Sequence, residues 1–540
     1  MTATALPALD HALTTQVAGA KAAALARLVA AGLPVPPGIV IPVGHPDEHL
    51  EAAAAEILAR CPAPHGLIAR SSAVAEDGAT ASFAGLFTSR ISTAEPTALL
   101  DAVRAVRASA HHPTVIAYSQ ALAAPVLPAI AVLVQPALRP ACSGVLAAEV
   151  TNSRCTRWRI EAVRGLAEPL VSGTQTGEIH TSGPGPRPTV RSTTQETIQL
   201  PGCPADLTTP PGEWVDLDPA TGTRAKILTS VAGVLHLHTP ATLAEEPVLT
   251  PQAREQLLAT AARAAAALDL DHVDVEWVIT ADGTLHLVQA RPLTAPLTDH
   301  TTSQTGSTDG QVLHGIAAAP GRGTGPTTLL TSADNPAIAD QVLLCHTLGP
   351  EAVPALLTGP AAVVAGTGGE LSHTAIITRE LGIPCVTNVT AALTDLAPGT
   401  VVEVDGGAGT VRPAPAVPAQ RVARAHSLAT TGVLARILAG TEPADGRAAT
   451  ILLHGPNGPA PASLTAGTGR AHPIGVLIPG DLAVPPTVPD SCQMIDLPGL
   501  GVLLWPTQAP PPPKTIAVLG PEGQILHQRA VPHADRRAAP

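Results

Sequence analysis

His373 is the residue whose setting most clearly suggests chemistry, because it lies in the string GGELSHTAIITRELGIP over 368–384. Ser372 is a good N-cap residue, and Ile376 and Ile377 begin an apolar helical face. His373 is therefore predicted in the first turn of a helix. There the helix dipole lowers the pKa of the imidazole, and free N–H groups stabilise a phosphoryl group carried on it. A single histidine is more often structural, and the chain contains 20.

Two basic residues near the start of the chain suggest a site for phosphate groups. Lys21 follows Gly19 at a predicted helix start, where backbone N–H groups already favour an anion. Arg70 ends a predicted strand and precedes a segment of small and hydroxyl-bearing residues over 76–85. Such a segment suits a flap that closes over a polyphosphate. Each residue taken alone also fits an ordinary surface helix or loop.

A predicted β-hairpin carries the residue types that bind a metal ion together with phosphate. Asp274 and Glu276 share one face of the first strand, because side chains alternate along a strand. Gln289 and Arg291 share one face of the second strand, after the turn ADGT over 281–284. Carboxylate and amide oxygens are hard ligands suited to Mg²⁺. Arg291 could bind a transferring phosphoryl group, although an ordinary hairpin with outward polar residues remains an alternative.

Apolar periodicity predicts the elements that must position these side chains. The predicted elements are a helix over 20–31, strands over 38–41, 67–70 and 130–135, strands with loops over 174–230, and a helix over Pro251–Leu268 with Thr250 as its N-cap. The serine pair after Arg70 predicts a turn. A polar, turn-rich segment over 296–311 predicts a linker. The next block, 312–413, alternates short strands with one short helix, and 414–540 is Pro-rich.

Composition narrows the class of protein further. The formal net charge is −12, and the 31 lysines and arginines form no basic run, which argues against nucleic-acid binding. No segment is long and apolar enough to span a bilayer. The seven cysteines include no CxxC pair, which favours a reducing compartment over a zinc site. These features predict a cytoplasmic protein without a membrane or nucleic-acid partner.

Taken in order, the strings of the first 295 residues resemble the nucleotide-binding domain of the pyruvate phosphate dikinase and phosphoenolpyruvate synthase family, an ATP-grasp variant. The matching strings are GAKA over 19–22, GLPVPPG over 32–38, ARSSAVAED over 69–77 with ASFAG over 81–85, GLAE over 165–168 with VSG over 171–173, and DVEW over 274–277 with LVQARP over 287–292. Ala167 and Leu86 depart from the family pattern, in which a glycine and a glutamine are usual.

The resemblance implies a role for each candidate residue. Lys21 and Arg70 match positions that hold ATP phosphates, and Arg291 matches the position that assists transfer. The positions that bind Mg²⁺ match Glu276 and Gln289. Two further residues are expected at the nucleotide by resemblance: Gln135 on the strand flanking the adenine pocket, and Glu168 in the string GLAE.

The string around His373 resembles the phosphohistidine domain of the same enzymes, as do GIAAAPG over 315–321 and VEVDGG over 402–407. This domain swivels between active sites in the family, which gives the predicted linker a purpose. Leu371 occupies the position at which plant-type dikinases carry a regulatory threonine, so phosphorylation there is excluded. Glu370, where an apolar residue is usual, places a negative charge close to the histidine.

The expected fold class is α/β and α+β multidomain. An ATP-grasp-like domain over 1–295 precedes the linker 296–311 and a β/β/α swivelling phosphohistidine domain over 312–413. Residues 414–540 are too few for the family's phosphoenolpyruvate-binding (β/α)₈ barrel, which needs about 250 residues. Any acceptor site is therefore in 414–540 or on a partner subunit.

Two functions remain open from the sequence. The first is a dikinase-type phosphotransferase, in which Mg²⁺-ATP phosphorylates His373, AMP leaves, and a pyruvate-like or other small molecule accepts the phosphoryl group. The second is a non-catalytic nucleotide-binding or regulatory homologue, which would require decay of the site residues.

Overall fold

The computed structural model describes residues 5–76, 83, 85–121, 129–183, 188–218, 221–244, 246–293, 297, 312–330, 341–349, 352–414 and seven strands beyond residue 433. Most of the predicted flap and of the predicted linker lies outside these residues. The chain divides into two compact units, Met1–Ala117 with Val126–Ala414, and Tyr118–Pro125 with Pro415–Pro540. Among the described helices, none has both the length and the apolar character needed to cross a membrane.

The first layer of the larger unit is a four-stranded antiparallel sheet with strand order β1-β4-β2-β3. Its region contains α1 (Thr15–Ala30), β1 (Ile39–Ile41), a 3₁₀ turn (Asp47–His49), α2 (Leu50–Arg60), β2 (Leu67–Ala73), β3 (Arg90–Ser92), α3 (Pro96–Ser109), α4 (Pro113–Ala121) and β4 (Ile130–Pro136). Leu50 and Ile57 of α2 and Leu99 and Val103 of α3 are fully or almost fully buried with residues of β1, β2 and β4. Their helical spacing explains why these segments fold as amphipathic helices on the sheet.

One prediction for this region is confirmed and one is wrong. Gly19, with φ of 73°, is non-helical and kinks α1, so the regular helix after it begins at Ala20, as predicted. The serine pair after Arg70 lies inside strand β2 rather than in a turn. The reason is that Ser72 Oγ accepts a hydrogen bond from Ala22 N at 3.0 Å and donates one to Ala18 O at 2.6 Å. The hydroxyl therefore joins α1 to β2 instead of bending its own backbone.

The second layer is a six-stranded sheet. The same stretch of chain also forms a small four-stranded sheet. The elements are β5 (Pro140–Thr151), β6 (Arg154–Arg164), α5 (Glu168–Val171), β7 (Glu178–Thr181), β8 (Thr189–Arg191), β9 (Thr197–Pro201), α6 (Pro204–Thr208), β10 (Trp214–Asp218), β11 (Thr223–Val231), β12 (Val234–His238), α7 (Ala241–Ala244), α8 (Pro251–Leu268), β13 (His272–Thr280) and β14 (Leu285–Pro292). The strand orders are β14-β13-β5-β6-β7-β8 and β10-β11-β12-β9.

Helix α8 packs on the six-stranded sheet and confirms the prediction from sequence at both ends. Thr250 Oγ1 accepts from Ala253 N at 3.2 Å, and Pro251 is the first helical residue. Its buried leucines and alanines share a core with α1 and with Trp277, which is fully buried. This core fixes the β13–β14 hairpin, which carries four of the candidate site residues.

The third part of the larger unit contains an eight-stranded mixed sheet and three short helices. The elements are β15 (Leu313–His314), β16 (Ile316–Ala319), β17 (Arg322–Leu329), β18 (Val342–Cys345), α9 (Val353–Leu357), β19 (Ala362–Ala365), α10 (His373–Glu380), β20 (Cys385–Thr387), α11 (Ala391–Asp395), β21 (Val401–Asp405) and β22 (Thr410–Pro413). Strands β17, β18, β19 and β20 are parallel to one another. The sequence predicted one helix here, and the structure adds α9 and α11.

The smaller unit contains a seven-stranded sheet where the sequence predicted only a Pro-rich region. Its strands are β23 (Leu434–Leu438), β24 (Ala449–Leu453), β25 (Ile474–Pro479), β26 (Cys492–Leu497), β27 (Gly501–Pro506), β28 (Thr515–Leu519) and β29 (Ile525–Ala530). Their order is β26-β27-β25-β24-β23-β28-β29. The prolines separate short apolar runs, and runs of five or six residues are long enough to form strands.

Candidate active site

The β13–β14 hairpin brings two pairs of polar side chains directly opposite each other. Glu276 pairs with Gln289, and Asp274 pairs with Arg291. Arg291 Nε lies 2.8 Å from Asp274 Oδ2, and both side chains are buried. The turn places Trp277 opposite Leu287, and a bulge between Glu276 and Trp277 then brings Glu276 opposite Gln289. The predicted placement of the four residues on the paired strands is confirmed.

Arg70 reaches the hairpin from strand β2 and contacts both residues of the first pair. Its Nη2 lies 3.3 Å from Glu276 Oε2 and 3.4 Å from Gln289 Oε1, and its Nη1 donates to Val288 O. Two hard oxygen donors therefore converge on one cationic nitrogen. The two oxygens are therefore close enough to bind one cation together. Mg²⁺ is the ion that prefers carboxylate and amide oxygens together with phosphate oxygens.

Lys21 lies in the same buried region and has a carboxylate partner that the sequence reasoning missed. Its Nζ lies 2.8 Å from Glu76 Oε1 and donates to Ser71 O at 3.2 Å. The second oxygen of Glu76 accepts from Ala73 N at 3.0 Å. Glu76 therefore fixes the ammonium at the end of strand β2, where a phosphate group could take over the contact.

His373 begins helix α10, as predicted, and Ser372 Oγ accepts from Ala375 N at 3.4 Å as its N-cap. Its imidazole rests on the backbone of Gly85, at the end of the predicted flap. A Cβ placed on Gly85 would lie only 2.2 Å from His373 Nδ1 and 2.7 Å from Cγ and Cε1. His373 thus lies against the end of the predicted phosphate-binding flap of the first domain.

Next to Gly85, the two phenylalanines of the chain anchor this segment. Phe83 and Phe87 stack with their ring centroids 5.7 Å apart, and both are buried. This stacked pair holds the backbone on which the imidazole rests.

Burial, helped by nearby positive charges, keeps the imidazole of His373 neutral. Burial is the main cause that lowers its pKa to about 4; the positive charges of Arg291 and Lys21 add to this, while Glu276 opposes it. The direction agrees with the prediction, but the main cause is removal of water rather than the helix dipole. A neutral ring at physiological pH keeps one nitrogen lone pair available for attack.

Glu276 remains ionised in the same surroundings. Burial acts to raise its pKa, but the charges of Arg70, Lys21 and Arg291 outweigh that and hold the pKa below its usual value. A carboxylate, and not a carboxylic acid, therefore faces Arg70 at the place predicted for Mg²⁺.

Two predicted nucleotide-binding residues have other described partners. Gln135 is buried in β4, and its Nε2 donates to Pro36 O at 3.0 Å. Glu168 begins α5, where burial raises the pKa of its carboxyl, offset in part by hydrogen bonds to Ser172 and Gln199. The described contacts join neither residue to the group around His373, and their roles stay predictions.

A second group of charged residues connects the segment before His373 to strand β6, and the sequence reasoning did not find it. Arg159 Nη1 lies 2.7 Å from Glu370 Oε2, and Arg159 Nε lies 2.9 Å from Glu161 Oε1. The signal was available: Arg157, Arg159 and Glu161 alternate on a strand whose second half is buried. Nothing local indicated that their partner lies in the later domain.

Comparison with known proteins agrees with this arrangement. Residues 45–200 match the model of the pyruvate phosphate dikinase AMP/ATP-binding domain, and residues 338–409 match the mobile domain of phosphoenolpyruvate-utilising enzymes. Over these two stretches the chain is similar to the pyruvate phosphate dikinase and phosphoenolpyruvate synthase family. The expected fold class, an ATP-grasp-like domain followed by a swivelling phosphohistidine domain, is confirmed by these matches and by the mixed α/β elements.

Similar proteins include archaeal phosphoenolpyruvate synthases. The probable phosphoenolpyruvate synthase of Archaeoglobus fulgidus is 29% identical over 63% of this chain and 42% of its own length. That of Methanothermobacter thermautotrophicus is 25% identical over 73% of this chain and 61% of its own. The phosphoenolpyruvate synthase of Pyrococcus furiosus is 36% identical over 26% of this chain and 17% of its own length. The chain thus matches less than two thirds of each relative.

Solved structures align with about half of the chain. D-alanyl-alanine synthetase A from Vibrio cholerae shares 11% identity over 50% of this chain and 54% of its own, with a TM-score of 0.23. Biotin carboxylase from Campylobacter jejuni shares 13% identity over 51% of this chain and 41% of its own, with a TM-score of 0.24. At these TM-scores the alignments carry no further argument.

Proposed function

We propose that this protein is an ATP-dependent phosphotransferase of the dikinase type that carries a phosphoryl group on His373. The main support for this proposal is the contact between the neutral imidazole of His373 and the backbone of Gly85. In this position the ring is influenced by the charges of Lys21, Glu276 and Arg291. A nucleophile, cationic phosphate ligands and a pair of oxygen donors meet in one buried place. This combination supports phosphoryl transfer, in which catalysis is mostly positioning and charge stabilisation.

Each residue has a role that its geometry supports. Lys21 and Arg70 exchange their present carboxylate contacts for the phosphates of ATP. Glu276 and Gln289 would hold Mg²⁺, which supplies charge neutralisation at the phosphates when bound. Arg291, held by Asp274, stabilises the transferring group.

The bond changes follow the family resemblance. An imidazole nitrogen of His373 forms a bond to the β-phosphorus, and the bond between that phosphorus and the oxygen bridging to the α-phosphate breaks. AMP carries away that oxygen, and the histidine holds a pyrophosphoryl group. The terminal phosphoryl group then passes to an oxygen of water or of inorganic phosphate and leaves as phosphate or pyrophosphate, while the histidine keeps one phosphoryl group. The first nucleotide product is therefore AMP.

The acceptor of the phosphoryl group belongs to the same proposal. Because relatives are phosphoenolpyruvate synthases by name, we infer a pyruvate-like or other small acceptor. We propose residues 414–540 or a partner subunit as places for its site.

The test is incubation with Mg²⁺ and ATP labelled separately at the β and γ positions. Acid-labile, base-stable label should accumulate from the β position, and His373→Ala should abolish it without changing ATP affinity by more than about twofold. His346→Ala, in the same domain, is the matched control and should label normally. ADP as the first nucleotide, or label that persists in His373→Ala, contradicts the proposal. ATP binding without any label in the parent supports the non-catalytic alternative instead.

A further inference from the structure

The strongest unassigned feature is a buried group of charges between strand β6 and the segment that precedes His373. We define the interdomain cluster as Arg159, Glu161 and Glu370. The side chains are 10%, 1% and 3% exposed, respectively. Since charged side chains are rarely buried to this extent unless they are paired, the cluster indicates a specific contact.

Backbone contacts make the fit at this cluster close. Glu370 N donates to Glu161 Oε1 at 3.1 Å. A Cβ placed on Gly369 would lie 2.0 Å from Glu161 Oε2. The glycine next to Glu370 therefore leaves room for a carboxylate of the first domain, so Glu161 enters the loop that leads into helix α10.

Neighbouring contacts extend the same attachment on either side of Glu370. Leu371 is buried in one apolar cluster with Val145, Val163 and Leu170 of the first domain. Thr367 Oγ1 donates to Gly173 O at 2.7 Å. Residues 367–373 thus lie along the first domain, and His373 at their end reaches Gly85.

We propose that the interdomain cluster positions His373 for phosphorylation, with Arg159 as the positioning residue that allows Glu370 to be buried beside Glu161. This inference rests on the proposed function and adds a specific pair to it. Arg159 contacts both carboxylates, whereas Arg379, which donates to Glu370 O, lies in the same domain as Glu370. Without Arg159, docking brings two buried carboxylates together, whereas in a detached domain each returns to water. Loss of Arg159 therefore disfavours the docked arrangement specifically.

The cluster approaches the proposed site through Arg379, which donates to Glu370 O and whose charge acts on Asp274. Its residues touch neither Lys21 nor Arg70 through any described contact. The cluster should consequently affect how often His373 reaches the nucleotide and not how tightly the nucleotide binds.

The experiment is a double-mutant cycle on the full chain with Arg159→Met, Glu370→Leu and the double variant. Single-turnover labelling of His373 at saturating Mg²⁺-ATP should slow by roughly 100-fold or more in Arg159→Met. The double variant also removes one of the two carboxylates. It should label His373 at least about tenfold faster than Arg159→Met alone. The ATP dissociation constant should stay within about twofold in every variant.

A matched control is Arg412→Met, which removes the same side chain from a pair with Glu403 inside the later domain. It should label at the parental rate. Additive effects of Arg159→Met and Glu370→Leu on labelling would overturn the proposal, as would an unchanged rate in Arg159→Met.

Hydrogen exchange provides a second measurement that does not depend on activity. In Arg159→Met the amides of 367–377 should exchange at least about tenfold faster than in the parent, while those of α8 stay protected. Loss of protection at α8 as well would indicate general unfolding of Arg159→Met. In that case the labelling rate of Glu370→Gln is compared with that of Glu403→Gln instead. If the parent takes no label but this exchange pattern is seen, the proposed function fails while the docking contact stands. Unchanged exchange over 367–377 overturns the docking contact itself.

Discussion

The substitution Gly85→Ala tests the contact between the imidazole of His373 and the backbone of Gly85. Gly85 has a φ of 69°, and a Cβ at this residue would lie 2.2 Å from His373 Nδ1. Ordinary contact begins at 3.4 Å, so the ring or the flap has to move by about 1.2 Å. A misplacement of about 1 Å costs on the order of 100-fold in rate, which corresponds to about 2.7 kcal/mol.

The substitution also places alanine in a left-handed conformation, which costs about 1–2 kcal/mol of stability by itself. Gly222→Ala isolates that cost, because Gly222 has a φ of 70° and open space around its Cβ position. The assay is single-turnover labelling of His373 at saturating Mg²⁺-ATP, with ATP affinity measured by calorimetry. We expect Gly85→Ala to label about 100-fold more slowly and Gly222→Ala to label normally. Equal labelling by both variants would refute the docked position of His373.

Three further outcomes follow from the same geometry. Glu276→Gln should slow labelling by at least about 100-fold, the typical cost of one lost electrostatic contact, with Glu255→Gln as an exposed control; a parental rate under saturating Mg²⁺ excludes Glu276 as a ligand. Because the pKa of His373 is lowered to about 4, its neutral form dominates at every pH above that, so labelling should stay level from pH 8 to about 5.5; a rate that halves near pH 6.5 means that the histidine titrates as an ordinary one. Lys21→Met should weaken ATP binding by about 10- to 100-fold in calorimetry, whereas Lys226→Met, on an exposed position of β11, should leave the affinity unchanged.

Local sequence determined the elements that carry the site. Thr250 and Ser372 mark helix starts because their hydroxyls satisfy N–H groups a few residues ahead, a contact that depends only on nearby chain. The four residues between β13 and β14 pair the two strands, and a bulge between Glu276 and Trp277 shifts the register by one residue so that Glu276 lies opposite Gln289. Such rules fail where a distant partner intervenes, as at Ser72, whose hydroxyl bonds to helix α1 and keeps the serine pair in strand β2.

Only the tertiary structure decided which of these residues meet. Arg70 and Glu276 are 206 positions apart, and Glu161 and Glu370 are 209 apart. No local periodicity specifies a contact over such a distance, because it depends on how separately formed layers pack. The charge of Glu370 has no explanation in its own segment and acquires one from Arg159. The low pKa of His373 likewise arises from burial beside another domain, whereas the sequence alone predicted its position at a helix start.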